Sequence, residues 1–364
     1  MKSHFPEGNA IIFCEGAFGT TYGKTAHGLI RRTLRYNITC VVDSTLEGKD
    51  AGEVLDGKPN GIPICPNLKT AIRETSKTKT SIPATHFVIG LAPDGGRLSP
   101  RHRQVLIEAI ASGLHVDSGL HDFFSEDPEV AALAEKHKVI IRDVRKPPPR
   151  SQLHFFSGKI EGVNAHKVAV LGTDSAVGKR TTAWMLVDAL NSSGRRTELI
   201  GTGQTAWMQG AQYSIILDSL INDFVSGEIE HVIWKAWKEA KPDVLIIEGQ
   251  GSLMNPAYPG GFELLAAGRP DVIILQHAPA RKDYDGFPGY PIQPINFQIK
   301  VIELLSNKSV IALTINHEGL DDSEIPGVCE EMEQITGLPA VDVLHEGTNR
   351  IVEIILAHLE KKNE

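Results

Sequence analysis

The sequence predicts an α/β protein with two domains, each built on a mainly parallel β-sheet flanked by helices. Apolar runs alternate with helical patterns along the chain, which is typical of parallel sheets covered on both faces. A proline-rich segment at 145–150 interrupts this alternation. A glycine-bearing loop at 172–179 separates a predicted strand from a predicted helix, as phosphate-binding loops do.

Length and composition agree with this prediction. A chain of 364 residues favours two domains, and 41% hydrophobic with 23% charged residues is typical of globular proteins. The net charge of −8 argues against a nucleic-acid partner. No signal peptide and no long apolar run are visible, so we expect no membrane association. Four cysteines without CxxC pairing indicate reduced, buried thiols and a cytoplasmic location.

In the first half, a glycine-rich loop precedes the first predicted helix. Lys24 begins that helix, where it would contact an anion or substrate, or simply be a lysine of the first turn. The predicted strands are Ala10–Cys14, Ile38–Val42, Phe87–Leu91 and Val139–Ile141, and the predicted helices are Lys24–Leu34, Pro100–Ser112 and Pro128–His137.

The domain boundary is predicted at the proline-rich segment. Its three consecutive prolines deny hydrogen bonds to helix and sheet alike, so it should be a stiff connector. We therefore predict a first domain at 1–146 and a second at 147–364. The basic residues beside the prolines are expected to be solvated rather than bound to an anion.

In the second half, we predict a phosphate site in the long loop after the first strand. Backbone N–H groups at a helix N-terminus converge there, and the helix dipole favours an anion. Gly178 lets the backbone come close, and Lys179 adds a positive charge; the alternative is an ordinary glycine turn. The predicted binding residues are Gly172, Thr173, Asp174, Ser175, Ala176, Val177, Gly178, Lys179, Arg180 and Thr181.

The position after the lysine departs from the usual phosphate loop. Arg180 replaces the Ser or Thr whose hydroxyl holds Mg²⁺, and Thr181 follows one place later. A Lys–Arg pair can neutralise phosphate without a metal, since arginine binds it bidentately. The loop therefore suits a ligand whose phosphates are bound but not cleaved, and we predict no resident metal.

Further candidates follow the other predicted strands, because ligands of open parallel sheets bind at the carboxyl ends of strands. Glu248 would act as a base or hold a metal, or else cap its loop. His277 would act as a base, or else be structural. The predicted substrate contacts are Lys24, Thr202, Gln204, Gln250, Ser252 and Arg281, although Arg281 could instead be a solvated charge. The predicted strands are Val168–Leu171, Glu198–Ile200, Val244–Ile247, Val272–Leu275 and Val310–Ile315, and the last helix is Asn349–Lys361.

These motifs resemble known enzymes. GTDSAVGKRTT and IIEGQGS resemble the phosphate loop and acidic strand end of dethiobiotin synthetase and its relatives. The longer series of YGKTAHGLIR, VVDST, the proline segment, GTDSAVGKRTTA, GTGQTAWMQG and IIEGQGSL covers both halves, and it resembles the D-glutamate N-acetyltransferase-like family. That resemblance implies a Rossmann-like N-terminal domain and a P-loop NTPase-like C-terminal domain.

The resemblance also implies acetyl transfer from acetyl-CoA to the amino group of D-glutamate or a related D-amino acid. Lys179 and Arg180 would then hold the phosphates of CoA, while the base stays open between Glu248 and His277. One alternative is a Mg-ATP-dependent ligase or kinase resembling dethiobiotin synthetase. Another is a non-catalytic nucleotide-binding protein. The expected partners are a small amino-acid substrate and further copies of the chain in a homo-oligomer.

Overall fold

A computed structural model describes residues 5–75 and 83–363 of the chain. The chain divides into two compact units: Met1–Pro148 with Gln204–Ala211, and Pro149–Gly203 with Gln212–Glu364. Each unit is built on one parallel sheet, which confirms the predicted fold class. In the described ranges, no helix has the length and apolar character needed to cross a membrane. All four cysteines are buried free thiols.

The first unit contains a six-stranded sheet in the order β3-β2-β1-β4-β5-β6. All its strand pairs are parallel. Its strands are β1 (Gly8–Phe13), β2 (Tyr36–Val42), β3 (Ile64–Cys65), β4 (His86–Ile89), β5 (His115–Ser118) and β6 (Ile141–Asp143). Its first five helices are α1 (Lys24–Arg31), α2 (Ala51–Asp56), α3 (Leu68–Thr75), α4 (Pro100–Ala111) and α5 (Pro128–His137).

Local caps explain where prediction and structure differ in this unit. α1 ends at Arg31 rather than Leu34, because Arg32 takes an extended conformation. β6 begins later than predicted, because Lys138 closes α5 in a left-handed conformation and Val139 donates its N–H to Ala134. The predicted bounds of α5 are confirmed; Asp127 caps its N-terminus.

The second unit contains a seven-stranded sheet in the order β13-β12-β11-β7-β10-β8-β9. Its strands are β7 (His166–Gly172), β8 (Thr197–Gly201), β9 (Tyr213–Ser214), β10 (Val244–Glu248), β11 (Val272–His277), β12 (Val310–Ile315) and β13 (Ala340–Val341). The remaining helices in chain order are α6 (Lys179–Ser192), α7 (Gln204–Met208, in the first unit), α8 (Asn222–Ala240), α9 (Ile295–Ser306), α10 (Ile325–Thr336) and α11 (Asn349–Asn363).

The strand order places the phosphate loop between two other strand ends. β7 lies between β10 and β11 at the centre of the sheet, and every residue of these three strands is buried. Because all three run in the same direction, the loop after β7 is flanked by the residues that follow β10 and β11. Glu248 and His277 are the last residues of these flanking strands.

The segment at 204–211, which contains α7, is part of the first unit although it follows β8 of the second. The carbonyl of Trp207 accepts a hydrogen bond of 2.9 Å from Arg35 Nε, and the Arg35 guanidinium lies 3.7 Å from the centre of the Trp207 ring. Gln209 Nε2 donates to the carbonyls of Gly28 and Arg32 at 2.7 and 3.0 Å. The first unit is therefore completed by residues from the second half of the chain.

Candidate phosphate-binding site

The loop between β7 and α6 exposes the start of a helix to a ligand. Gly178, the N-cap of α6, has a φ of 103°, and Ala176 has a φ of 53°. Such values are rare for residues with a Cβ and mark a constrained loop. Among the described residues, no side chain caps the N-terminus of α6, so its first backbone N–H groups point toward the place where an anion would bind.

Lys179 is held inside this loop. Only 7% of its surface is exposed, and its Nζ donates to the carbonyls of Asp174 and Gly251 at 2.6 and 2.7 Å. Gly172 makes room for it, because a Cβ there would lie 2.8 Å from Lys179 Cδ. Burial lowers the pKa of Lys179 to about 8, against the opposing effect of the carboxylates of Asp174 and Glu248. The ammonium is thus a desolvated cation held in place beside the helix N-terminus.

Asp174 organises the loop from within. Its carboxylate is fully buried and accepts four hydrogen bonds from protein groups. Oδ1 accepts from Ser175 N and Asn255 Nδ2, at 2.7 and 2.8 Å. Oδ2 accepts from Arg281 Nη1 and Asp285 N, both at 2.8 Å. The side chain therefore ties three loops together, which leaves a ligand to be bound by other groups of the loop.

Arg281 also has partners within the protein. Besides Asp174, its guanidinium pairs with Glu318 and donates to the carbonyl of Ser175 at 2.9 Å. Through these contacts Arg281 stabilises the conformation of the phosphate loop. Contact with a substrate carboxylate stays a prediction, and it would require the guanidinium to leave one of these partners.

Glu248 is buried beside the loop cations. β10 pairs with β7 so that Glu248 lies opposite Val170, and its Oε2 accepts a 2.9 Å hydrogen bond from Thr202 N. Burial raises the pKa of Glu248, against the opposing effects of Arg180, the Thr202 N–H and Lys179. A buried carboxylate whose pKa is raised is a better proton acceptor than an ordinary glutamate, so Glu248 is a candidate general base.

The residues around Glu248 form a connected polar cluster. Thr202 Oγ1 donates to the Glu248 carbonyl at 3.0 Å, and Gln250 Nε2 donates to Thr202 Oγ1 at 2.8 Å. Ser252 follows Gly251, whose carbonyl binds Lys179, and its Oγ is buried with no hydrogen-bond partner among the described residues. Thr202, Gln250 and Ser252 thus lie together with Lys179 and Glu248, and their contact with a substrate stays a prediction.

His277 lies at the other flank of the loop. Its Nδ1 forms a 2.9 Å hydrogen bond with Thr173 Oγ1, and burial lowers its pKa to about 4. The imidazole is therefore neutral at pH 7 and a weaker proton acceptor than Glu248. Its neighbour Gln276 accepts from Thr182 Oγ1 and from Thr314 Oγ1, which links α6 to the sheet. In this geometry His277 orients Thr173 of the loop.

The remaining predicted substrate residues are in the first unit. Lys24 is the exposed first residue of α1, and Gln204 is the first residue of α7. Gln204 packs so closely on Gly119 that a Cβ there would lie 2.7 Å from Gln204 Cγ. The sequence did not predict that Asn255 and Asp285 bind the Asp174 carboxylate. The sequence indicates only that they lie in the loops after β10 and β11.

These features define the class of the protein. The first unit has a Rossmann-like strand order, and the second is a P-loop domain. The chain belongs to the DUF1611 family: the P-loop domain of this family, described as a domain of unknown function, matches residues 154–352, and its Rossmann-like N-terminal domain matches residues 44–147. The Rossmann-like N-terminal domain and the P-loop C-terminal domain that the resemblance implied are thereby confirmed.

Two relatives and one solved structure resemble most of the chain. A D-glutamate N-acetyltransferase from Tritonibacter scottomollicae is 30% identical over 289 residues, covering 75% of this chain and 82% of the relative. A D-glutamate N-acetyltransferase from a Pseudoalteromonas species is 31% identical over 276 residues, covering 74% and 80%. The crystal structure of a DUF1611 family protein from Anabaena variabilis is 27% identical, with a TM-score of 0.87 over 96% of this chain and 99% of that one.

Proposed function

We propose that this protein is an N-acetyltransferase that moves an acetyl group from acetyl-CoA to the amino group of D-glutamate or a related D-amino acid. The observation that carries the proposal is the likeness to two relatives named D-glutamate N-acetyltransferase over about three quarters of the chain. The chemistry of the phosphate loop supports the same conclusion.

The donor set of the loop suits the phosphates of CoA. The N–H groups at the start of α6, which no described side chain caps, and the buried ammonium of Lys179 provide directed positive charge. Arg180 adds a guanidinium where other phosphate loops carry the hydroxyl that binds Mg²⁺. Such a loop can bind pyrophosphate without cleaving it, which is what a CoA thioester requires.

The proposed mechanism is direct transfer. Acetyl-CoA supplies the acetyl group as a thioester. The carboxylate of Glu248 takes a proton from the ammonium of the amino acid, and the free amine then attacks the thioester carbonyl. The new C–N bond forms and the C–S bond breaks. The proton that the attacking nitrogen loses passes to the departing thiolate, so CoA leaves with a free thiol, and Glu248 returns its own proton to water. Backbone N–H groups of the loop stabilise the negative charge that develops on the carbonyl oxygen.

The polar cluster beside Glu248 is the proposed place for the amino acid. Thr202, Gln250 and Ser252 carry hydroxyl and amide groups that can hydrogen-bond a carboxylate, and the buried hydroxyl of Ser252 has no protein partner among the described residues. Arg180 places a positive charge near Glu248 of this cluster. This arrangement would hold an acidic amino acid with its amino group next to Glu248.

The first test is a comparison of melting temperatures with acetyl-CoA, CoA and ATP, the last with and without Mg²⁺. A ligand at 100 times its Kd stabilises the folded state by about 2.7 kcal/mol. We expect stabilisation by acetyl-CoA and CoA that does not depend on the metal. No shift with either CoA compound would contradict the proposal.

The second test measures turnover through release of the CoA thiol, with D-glutamate, L-glutamate, D-aspartate and D-glutamine as acceptors. We expect release only with the acceptor present, and faster with the D than with the L enantiomer of glutamate. Binding of CoA without turnover on any amine would instead favour a non-catalytic nucleotide-binding protein.

An ATP-dependent ligase or kinase is the second candidate. It is favoured by one observation: a buried carboxylate, Glu248, lies beside the phosphate-loop lysine, where it could hold a metal ion. This candidate predicts stabilisation by ATP only with Mg²⁺ and release of ADP in the presence of an acid substrate. Turnover of acetyl-CoA without ATP would exclude it.

A further inference from the structure

A basic cavity lies in the second unit at the opposite end of the sheet from the phosphate loop. Its volume is about 430 Å³, which is within the usual size of small-molecule sites. The four cations that line it are Arg195, Arg196, Lys238 and Lys241, and they come from the turn before β8 and from the C-terminal end of α8.

The cavity holds a strong excess of positive charge. Asp243 is the one carboxylate among its lining residues, and it is already neutralised by Arg196, whose Nη2 lies 3.1 Å from Asp243 Oδ1. Arg196 holds the pKa of Asp243 below its usual range. The remaining cations carry a net charge of about +3 into one cavity of a chain whose net charge is −8.

Two of the cations have no side-chain hydrogen bond in the described ranges that a ligand would have to replace, although Arg195 also attracts the Asp243 carboxylate through its charge. Within the parts of the chain that the structure describes, the side chains of Arg195 and Lys241 donate no hydrogen bond to a protein acceptor. Lys238 instead lies over the ring of Trp237, with its Nζ 4.6 Å from the ring centre. Arg196, Lys238 and Lys241 are exposed and Arg195 is half-buried, so water and salt screen their mutual repulsion in part. An anion with more than one charge would remove the repulsion that remains.

The other wall of the cavity is apolar. It is formed by Ala165, Trp237, Pro242 and Leu359, of which all but the half-buried Trp237 are buried. A polar anion alone would leave the exposed part of the Trp237 ring in contact with water. A ligand with a phosphate at one end and an organic part at the other would match both sides of the cavity.

We propose that this cavity is a second binding site, specific for a small organic phosphate. The guanidinium of Arg195 and the ammonium of Lys241 bind the phosphate, and the wall around Trp237 and Leu359 contacts the organic part. A sugar phosphate and a nucleoside monophosphate share this chemistry, and the experiment separates them.

The site is distinct from the phosphate loop by position. β8 and β10 both begin at the cavity, directly after Arg196 and Asp243, and end beside Thr202 and Glu248. Each strand has five residues, so the two sites lie about 16 Å apart at opposite ends of the same strands. The proposal therefore does not depend on what the phosphate loop binds.

The test uses calorimetric titration of the full chain at fixed ionic strength. The probes are inorganic phosphate, glucose 6-phosphate and AMP, and the background is Lys179→Ala, which weakens the phosphate loop. Adding Arg195→Gln and Lys241→Asn removes the two cations to which the proposal assigns the phosphate. Asparagine tolerates the left-handed conformation that residue 241 adopts, with a φ of 49°, so the fold should be retained. Melting temperatures check this.

The matched control removes two exposed cations elsewhere in the same unit, by Lys300→Ala and Lys308→Ala. We expect glucose 6-phosphate or AMP to bind the Lys179→Ala protein with a stoichiometry of about one. The cavity substitutions should weaken this binding at least about 30-fold, and the control should leave it unchanged.

The organic probe with the lower Kd tells whether the cavity prefers a sugar phosphate or a nucleoside monophosphate. Three results would overturn the proposal: no binding in the Lys179→Ala background, equal loss in the control, or organic phosphates that bind no better than inorganic phosphate. Equal loss in the control would mean non-specific attraction by net charge.

Discussion

At the scale of single residues, Lys179 decides whether the loop binds a phosphate. Replacing it with alanine removes a buried charge-assisted contact, and we expect the Kd for acetyl-CoA to rise about 10- to 100-fold. Because burial lowers the pKa of this lysine to about 8, affinity in the wild-type protein should fall as the pH rises above 8.

Titration calorimetry between pH 6.5 and 9.5 checks both expectations. Lys179→Ala should bind weakly with no decline above pH 8. An unchanged Kd in this variant would mean that acetyl-CoA is bound elsewhere.

Glu248 is the second residue on which the proposal depends. Glu248→Gln keeps an acceptor for the Thr202 N–H but cannot take a proton, so kcat should fall about 100- to 10,000-fold while the Kd for acetyl-CoA changes little. In the wild type, kcat should rise with pH through the pKa of this carboxyl, which burial raises above its usual range.

Stability separates this effect from damage to the fold. A carboxyl whose pKa is raised by folding stabilises the protein below its unfolded pKa, and that stability is lost as pH rises through the folded pKa. Glu248→Gln should therefore melt at the same or a higher temperature than the wild type at pH 7. A lower kcat together with a lower melting temperature would leave Glu248 a structural group and contradict its role as the base.

At the scale of elements, the turn from β7 into α6 requires glycine at one position. Gly178 has a φ of 103°, a conformation that residues with a Cβ rarely adopt. There is space for the side chain, because an added Cβ would lie no closer than 3.7 Å to another residue. The cost of Gly178→Ala is thus conformational strain rather than a clash, and we expect a loss of about 1–3 kcal/mol in unfolding free energy with weaker CoA binding.

Gly327→Ala is the matched control, because this glycine lies inside α10 and has no positive φ. A Cβ added at Gly327 would meet no other side chain within 4 Å. It should stabilise the protein by up to about 1 kcal/mol, since alanine favours helices. Chemical unfolding of both variants measures the difference. A Gly178→Ala protein as stable as the control would show that the loop has no need of its left-handed turn.

The elements differ in how far the sequence could predict them. The central strands β7, β10 and β11 each contain a continuous apolar run. The loop has its glycines and lysine within one short segment, so both the strands and the loop could be predicted. The environment of Asp174 could not be predicted, because Arg281 and Asp285 lie more than 100 residues further along the chain. Nor does any local pattern show that Gln204 and its neighbours pack with the first unit.

At the scale of the whole molecule, the segment at 204–211 makes the first unit discontinuous in sequence. Trp207→Ala would remove the ring on which Arg35 stacks and leave a cavity in that unit. We expect a loss of about 3 kcal/mol in unfolding free energy.

Denaturant unfolding followed by circular dichroism measures this loss. Leu190→Met, a change that nearly conserves volume in α6 of the second unit, serves as the control and should cost less than about 1.5 kcal/mol. Equal stability of Trp207→Ala and the wild type would mean that the segment contributes little to the first unit.

The same segment has a consequence for biosynthesis. Residues 1–148 leave the ribosome first, but the partners of Arg35 and Gly28 in α7 and the residues after it are translated only about 60 residues later. At about 5–20 residues per second, the nascent first unit waits for several seconds without them. During that interval the surface that Trp207 and Met208 later cover is exposed to solvent. A chaperone that binds nascent chains could therefore bind this surface before residues 204–211 are translated.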